Sequence, residues 1–266
     1  MKVGVAGFGT IGRKVAEALD RGIEGLELVA VHTRRADHAA AQIAKFRRPV
    51  PVCDSAQLVA RCDVVVECLP TVAFETVAPA VIAAGKTLVT VSGAALLDHP
   101  ELIELARRSG GRIILATGAL LGLDAVRAAA EGEVHSVTMI TRKPPRSLAD
   151  AAYVVEHGID LASLAGPLRL FAGSAREGAR LFPANVNVAA ALGLAGIGPD
   201  RTRLEIWADP ALTRNTHHIV VDADSARLEL KIENVPSDEK PGTGRITALS
   251  VITCLRSLSA PLRIGS

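Results

Sequence analysis

The chain has 266 residues, of which 49% are hydrophobic and 22% charged, with a net charge of +2; this is the make-up of a soluble globular protein with a substantial core and room for one or two domains. So nearly neutral a chain carries no electrostatic footprint for nucleic acid, and no run of Lys or Arg is interleaved with its scarce aromatics. Cys53, Cys62, Cys68 and Cys254 include no Cys-x-x-Cys pair and no His-rich tract completes a ligand set, so no metal site is expected and the thiols read as reduced. Without a charged leader ahead of a cleavable apolar run, and with apolar stretches such as Val188 to Ile197 broken by Gly and too short for a bilayer, the protein is expected to be cytoplasmic.

The first part alternates strand and helix patterns. Val3 to Ala6 is a β-branched run; Ile11 to Leu19 follows with Ile11, Val15, Ala18 and Leu19 on one helical face. Leu26 to His32 reads as a strand, Ala39 to Phe46 as a helix, Val50 to Cys53 as a short strand and Ala56 to Ala60 as a helical turn. Asp63 to Leu69 is a strand whose Val64-Val65-Val66 centre predicts burial on both faces. A helix over Phe74 to Ala84, a strand over Thr87 to Ser92, a helix over Pro100 to Ser109 and a strand over Arg112 to Thr117 complete the series. Such alternation implies βαβ crossovers and a parallel sheet covered on both faces.

Beyond Gly118 the pattern changes. Extended candidates at Val134 to Arg142, Leu168 to Ser174, Thr202 to Trp207, His217 to Val221 and Ala226 to Glu233 are separated by helical stretches at Gly122 to Ala130, Ala175 to Phe182 and Val186 to Ala195. The mixture predicts an α+β domain with a mainly antiparallel sheet. A last helix, Ile246 to Leu258, follows the Pro- and Gly-rich loop 236–244 and is expected to return to the first domain. The expected division is therefore 1–118 with 242–266 as a dinucleotide-binding Rossmann domain, and 119–241 as an α+β catalytic and dimerisation domain.

Gly7-Phe8-Gly9-Thr10-Ile11-Gly12 fits G-x-G-x-x-G, directly after a predicted strand and opening a predicted helix. In that context Gly7 permits the tight turn, Gly9 lets a pyrophosphate approach the backbone, and Gly12 lets helix and strand pack closely. The free N–H groups of the Thr10-Ile11-Gly12 turn and the helix dipole then favour phosphate. At the end of the second strand, Val31-His32-Thr33-Arg34-Arg35 supplies no acid for the ribose hydroxyls. Arg34, and Arg35 beside it, would accept the 2′-phosphate of NADP; two solvated loop arginines fit the same residues, so NAD or NADP stays open.

Several segments carry a resemblance. Val64-Val65-Val66-Glu67-Cys68, Ala83-Ala84-Gly85-Lys86 and Val89-Thr90-Val91-Ser92-Gly93-Ala94 resemble the dihydrodipicolinate reductase and homoserine dehydrogenase group. Thr117-Gly118-Ala119, Thr141-Arg142-Lys143-Pro144-Pro145, Gly173-Ser174-Ala175-Arg176-Glu177, the run from Phe182 through Asn185-Val186-Asn187 to Ala190, Ala208-Asp209-Pro210 and Asn215-Thr216-His217 follow in order. This set resembles the L-aspartate dehydrogenase family over nearly the whole chain. The resemblance implies oxidative deamination of L-aspartate to iminoaspartate, then oxaloacetate and ammonia, with the imine able to feed pyridine nucleotide biosynthesis. It also implies His217 as the catalytic residue, Ala119 (through its backbone) and Asn187 as cofactor contacts, and a homodimer.

The residues themselves constrain those roles. His217 and His218 lie in one strand, so they point to opposite faces, and His217 shares its otherwise apolar face with Ile219 and Val221. Asn187 and Asn185 stand at a helix start, where one of them would cap and the other hold the nicotinamide or its ribose; Asn185 is the expected cap. Aspartate's two carboxylates need cations, for which Arg142, Lys143 and Arg214 are candidates, each equally readable as surface charge. Glu67 ends a parallel strand where ligands approach, and a solvated loop carboxylate explains it as well. A sheet with one face covered by helices leaves the other for a partner, which also favours a homodimer. The alternatives are a dihydrodipicolinate- or homoserine-type enzyme, and a regulator that keeps the Rossmann turn without catalysis.

Overall fold

Runs of β-branched residues build the first sheet of the computed structural model, which describes residues 1–120, 122–183, 186–239 and 242–265. Strands β1 (Lys2–Ala6), β2 (Glu27–His32), β3 (Val64–Glu67), β4 (Thr87–Thr90) and β5 (Arg112–Leu115) are all parallel, in the order β2-β1-β3-β4-β5. Chain order reverses between β1 and β3, so the carboxyl ends of these two strands flank the switch point where ligands of such sheets bind. Helices α1 (Thr10–Arg21), α2 (Ala36–Ile43), α3 (Ser55–Arg61), α4 (Ala78–Ala83), α5 (Gly93–Asp98) and α6 (Glu101–Ser109) form the connections.

Two local differences from the sequence reading trace to proline. The strand expected at Val50 to Cys53 shrinks to a single parallel bridge between Val31 and Val52, because Pro49 and Pro51 on either side of Val50 bring no N–H donors to a ladder. The helix expected over Phe74 to Ala84 divides into a 3-10 segment, Thr71–Thr76, and α4. Pro79 sits in the first turn of α4, where its missing N–H does no harm, whereas inside a longer helix it would break a bond and clash. Helix α5 was not anticipated, being too short for a periodic signal.

The second sheet is mixed. Strands β6 (Val134–Lys143), β7 (Leu168–Ser174), β8 (Thr202–Ala208), β9 (Asn215–Ala223) and β10 (Arg227–Asn234) run in the order β10-β9-β6-β8-β7, antiparallel except for the β6–β8 pair. With these strands come α7 (Leu123–Ala129), α8 (Ala152–Glu156), α9 (Ala175–Leu181) and α10 (Asn187–Ala195); α8 is five residues long and was not foreseen. A capping box fixes the start of α9: the Ser174 hydroxyl accepts from the Glu177 N–H, and Glu177 reaches back to the Ser174 N–H.

Alternation separates two faces of this sheet. Val137, Met139, Thr141 and Lys143 on β6, with Asn215, His217, Ile219 and Val221 on β9, are buried, and α9 and α10 pack on the same sheet at β8. Thr138, Ile140 and Arg142, with Thr216, His218 and Val220, point the other way and are half-exposed. The chain divides into two compact units, Met1–Ala116 with Thr247–Ile264, and Thr117–Ile246. The last helix, α11 (Arg245–Ser259), places Val251 and Leu255 in the first unit's core with Val3, Val15, Leu19 and Val31.

Candidate active site

At the end of β1 the chain turns at Gly7, whose φ of 92° suits glycine, and its N–H donates to the His32 carbonyl at 2.8 Å. A Cβ on Gly12 would lie 1.9 Å from the Gly7 carbonyl oxygen, so only glycine lets α1 come this close to the turn. Gly9 differs: a Cβ there would meet nothing within 4 Å. Gly9 is also the N-cap of α1, without a side-chain cap, and the first turn holds no acid. The N–H groups opening this helix at Thr10, Ile11 and Gly12 therefore border open space with a positive helix terminus behind it, a cradle that fits a pyrophosphate.

Arg34 and Arg35 are exposed just beyond β2, and the Arg35 N–H donates to Thr33 Oγ1 at 3.3 Å. His32, half-buried, places Nδ1 at 2.9 Å from the Cys53 carbonyl oxygen. Glu67 is not a solvated loop carboxylate: it is fully buried, with Leu69 N–H donating to Oε1 at 2.7 Å and the Thr90 hydroxyl donating to Oε2. Burial pushes its carboxyl above the ordinary glutamate range, against these hydrogen bonds. Glu67 thus fastens β3 to β4 beside the switch point.

In the second unit the polar residues gather at one end of the buried sheet face. His217 is 3% exposed, and its Nδ1 lies 3.1 Å from Thr141 Oγ1 on the neighbouring strand, its register partner. Lys143, also 3% exposed, is two residues further along that face of β6. Burial pushes the Lys143 ammonium down to about 8; burial first, and the Lys143 charge second, push His217 down to about 3. Near neutral pH the imidazole is uncharged beside a cation. The face expected to be apolar around His217 is apolar on the Ile219 and Val221 side and polar on the other, where Thr141, Lys143 and Asn215 meet it.

His218 takes the opposite face, where Nε2 stands 2.7 Å from Glu229 Oε1 on β10. Arg142 is there too, 3.5 Å from Asp209 and 4.8 Å over the Trp207 ring, so strand alternation separates it from His217. Arg214 is exposed just ahead of β9. Of the three cations read as partners for carboxylate, only Lys143 shares the imidazole's face, and it is no surface charge.

Ala119 is half-buried, and its carbonyl accepts from Asn234 Nδ2 at 3.2 Å. Asn234, which the sequence reading missed, ends β10 directly across from Asn215. Its signal is weak in sequence, a single polar residue closing a strand of alternating charge. Asn187 is the first residue of α10 and half-buried; the N-cap position falls on Val186, so Asn187 is no cap. Asn185 lies outside the described residues. An open cavity of about 440 Å³, lined in part by Pro144, Arg146, Pro210 and Leu212, includes the prolines of two of the family segments but none of the residues given a catalytic or cofactor role from sequence.

Residues 124–258 match the family model "Aspartate dehydrogenase, C-terminal", and residues 7–116 match "Homoserine dehydrogenase, NAD binding domain". The L-aspartate dehydrogenase of Bradyrhizobium diazoefficiens is 52% identical over 100% of this chain and 94% of its own length. That of Methanococcoides burtonii is 37% identical with both chains fully covered. Among solved structures, the aspartate dehydrogenase of Thermotoga maritima superposes with a TM-score of 0.78 at 27% identity, covering 100% of this chain and 99% of that one. A hyperthermophilic archaeal homoserine dehydrogenase, 15% identical with a TM-score of 0.59, shares the fold. With a nucleotide-type glycine turn in one unit, a buried imidazole beside a buried lysine in the other, and full-length relatives at this identity, the chain belongs to the L-aspartate dehydrogenase family of NAD(P)-dependent oxidoreductases.

Proposed function

We propose that the chain catalyses oxidative deamination of L-aspartate, with His217 as its acid–base group and Lys143 as the cation that receives a substrate carboxylate. The carrying observation is the buried His217, held at Nδ1 by Thr141, with Lys143 on the same face. NAD or NADP, when bound, would supply the hydride acceptor for the oxidation of aspartate at Cα to iminoaspartate. Gly7, Gly9 and Gly12 with the Thr10-Ile11 backbone would hold its pyrophosphate; Ala119, through its backbone, and Asn187 are the contacts that the family resemblance implies.

With Nδ1 engaged by Thr141, Nε2 of His217 is the ring atom for chemistry. A neutral imidazole takes a proton from the water that attacks the imine carbon and returns one to the departing ammonia. Burial first, and the Lys143 charge second, hold His217 too acidic to be a useful base in the empty site. A carboxylate seated on Lys143 offsets the second of these causes and moves the imidazole upward, toward a value useful for proton transfer, when substrate is in place.

Three finer points belong to the same reading. Arg34 and Arg35, with no acid at the end of β2, favour NADP binding at least as well as NAD. The half-exposed face of the second sheet is the dimer contact of two identical chains. No described helix is long and apolar enough to cross a membrane; a cytoplasmic setting suits a dinucleotide reaction and four free cysteines, and recovery in the membrane fraction of lysed cells would count against it. The reading is tested by steady-state absorbance of NADH or NADPH with L-aspartate, homoserine and dihydrodipicolinate. Turnover of L-aspartate alone is expected. A chain that turns over homoserine instead, or prefers NAD by about tenfold or more, contradicts the substrate or the cofactor assignment respectively.

A further inference from the structure

One buried group near His217 has no work in the reaction so far. Asn215 is two residues before His217 on β9, on the same face, and only 5% exposed. Its Oδ1 has no hydrogen-bond donor among the described residues, although Lys143 belongs to the same polar end of the face. Opposite it across the β9–β10 pair is Asn234, whose Nδ2 is committed to the Ala119 carbonyl and whose Oδ1 likewise lacks a donor. Buried acceptors in folded chains are nearly always paired, so each unpaired one calls for an explanation, and beside a candidate reaction site a donor on the substrate supplies one. Two neutral amide oxygens on facing residues call for a group with more than one N–H.

Aspartate brings one such group to this site, its α-amino nitrogen, which is released as ammonia after oxidation. Its carboxylates offer no donor to an amide oxygen, and a hydroxyl in the amine's place offers a single one. We propose that Asn215 is the residue that recognises the substrate amine: its side-chain oxygen accepts an N–H of aspartate, and of ammonia in the reverse direction, which makes the site select amino over hydroxy acids. This rests on the aspartate dehydrogenase reading and adds to it a residue that touches the nitrogen rather than the carboxylates. A site built to hydrogen-bond one substrate group loses that substrate strongly when the partner is removed.

The test is the reductive direction, with oxaloacetate, ammonium and reduced cofactor, on the wild-type chain and on Asn215→Leu, Asn215→Asp and Asn215→Ser. Cofactor affinity is read separately by fluorescence without turnover. For Asn215→Leu the KM for ammonium is expected to rise about 30-fold or more, with the KM for oxaloacetate and the cofactor Kd within about threefold of wild type. Asn215→Asp keeps an acceptor and holds the ammonium KM within about fivefold. Removing an orphan acceptor in favour of an apolar group of similar size leaves the melting temperature unchanged or raised; if Asn215→Leu fails to fold, Asn215→Ser, too short to reach, carries the same expectation. An unchanged ammonium KM, or equal rises for ammonium and oxaloacetate, overturns the proposal. A weakened cofactor Kd also overturns it and points to the nicotinamide carboxamide as the donor. A wild-type chain silent with aspartate and with oxaloacetate plus ammonium overturns the underlying reading as well.

Discussion

Lys143 and His217 show how burial, rather than residue type, sets chemistry. In sequence Lys143 is one of three cations near the family segments; only the pleat decides that it shares a face with His217 while Arg142 does not. The same burial makes the lysine a stability liability with a definite pH signature. Its folded value of about 8 lies below the ordinary 10.5, so between these values the unfolded chain binds a proton that the folded chain does not. Stability therefore rises with pH across that window. His217, lowered from 6.5 to about 3, adds a separate loss of stability as pH falls through that range. Replacing Lys143 by Met, apolar and of similar length, removes the alkaline rise. The stability difference between variant and wild type should change by on the order of 3 kcal/mol from pH 7.5 to 10.5, in favour of wild type at the higher pH. Urea unfolding of both proteins at the two pH values measures it; parallel curves would mean the lysine is solvated in the folded chain.

Among the elements, those with a strong period were readable and those without one were not. The five strands of the second sheet come within a few residues of their sequence limits, because alternating burial writes itself into alternating residue type. Helices α5 and α8 carry too few residues for a pattern, and Pro49, Pro51 and Pro79 redraw boundaries through missing N–H groups that an apolar run does not reveal. Helix α10 starts at Asn187 with Val186 at its N-cap position, one residue later than its apolar run suggests, and the expected cap, Asn185, lies outside the described residues. Alternation also predicts what the outer sheet face does. Ile140, Val220 and Trp207 stand half-exposed there beside Arg142 and the His218–Glu229 pair, a mix of apolar surface and charge suited to a self-complementary contact. Light scattering on the purified chain should return twice the 27.7 kDa chain mass, and Ile140→Glu should return the single mass; a wild-type monomer would contradict this contact.

At the scale of the molecule, the candidate residues fall into two compact units. The glycine turn was legible because its three glycines do different physical jobs: a positive φ at Gly7, open space at Gly9 and a close approach at Gly12. The reaction site was legible only in part. His217 could be named from the family segments, but Thr141 reaches it through pairing with a strand 76 residues away, which no local pattern encodes, and Asn234 faces Asn215 only once the β9–β10 register is known. Neighbouring histidines on opposite faces make the central claim open to a direct trial. That trial is kcat for L-aspartate with saturating cofactor in His217→Ala and His218→Ala. The account predicts a loss of about 10²-fold or more for the first, with the second near wild type. Near-normal turnover in His217→Ala, with His218→Ala inactive, would contradict it.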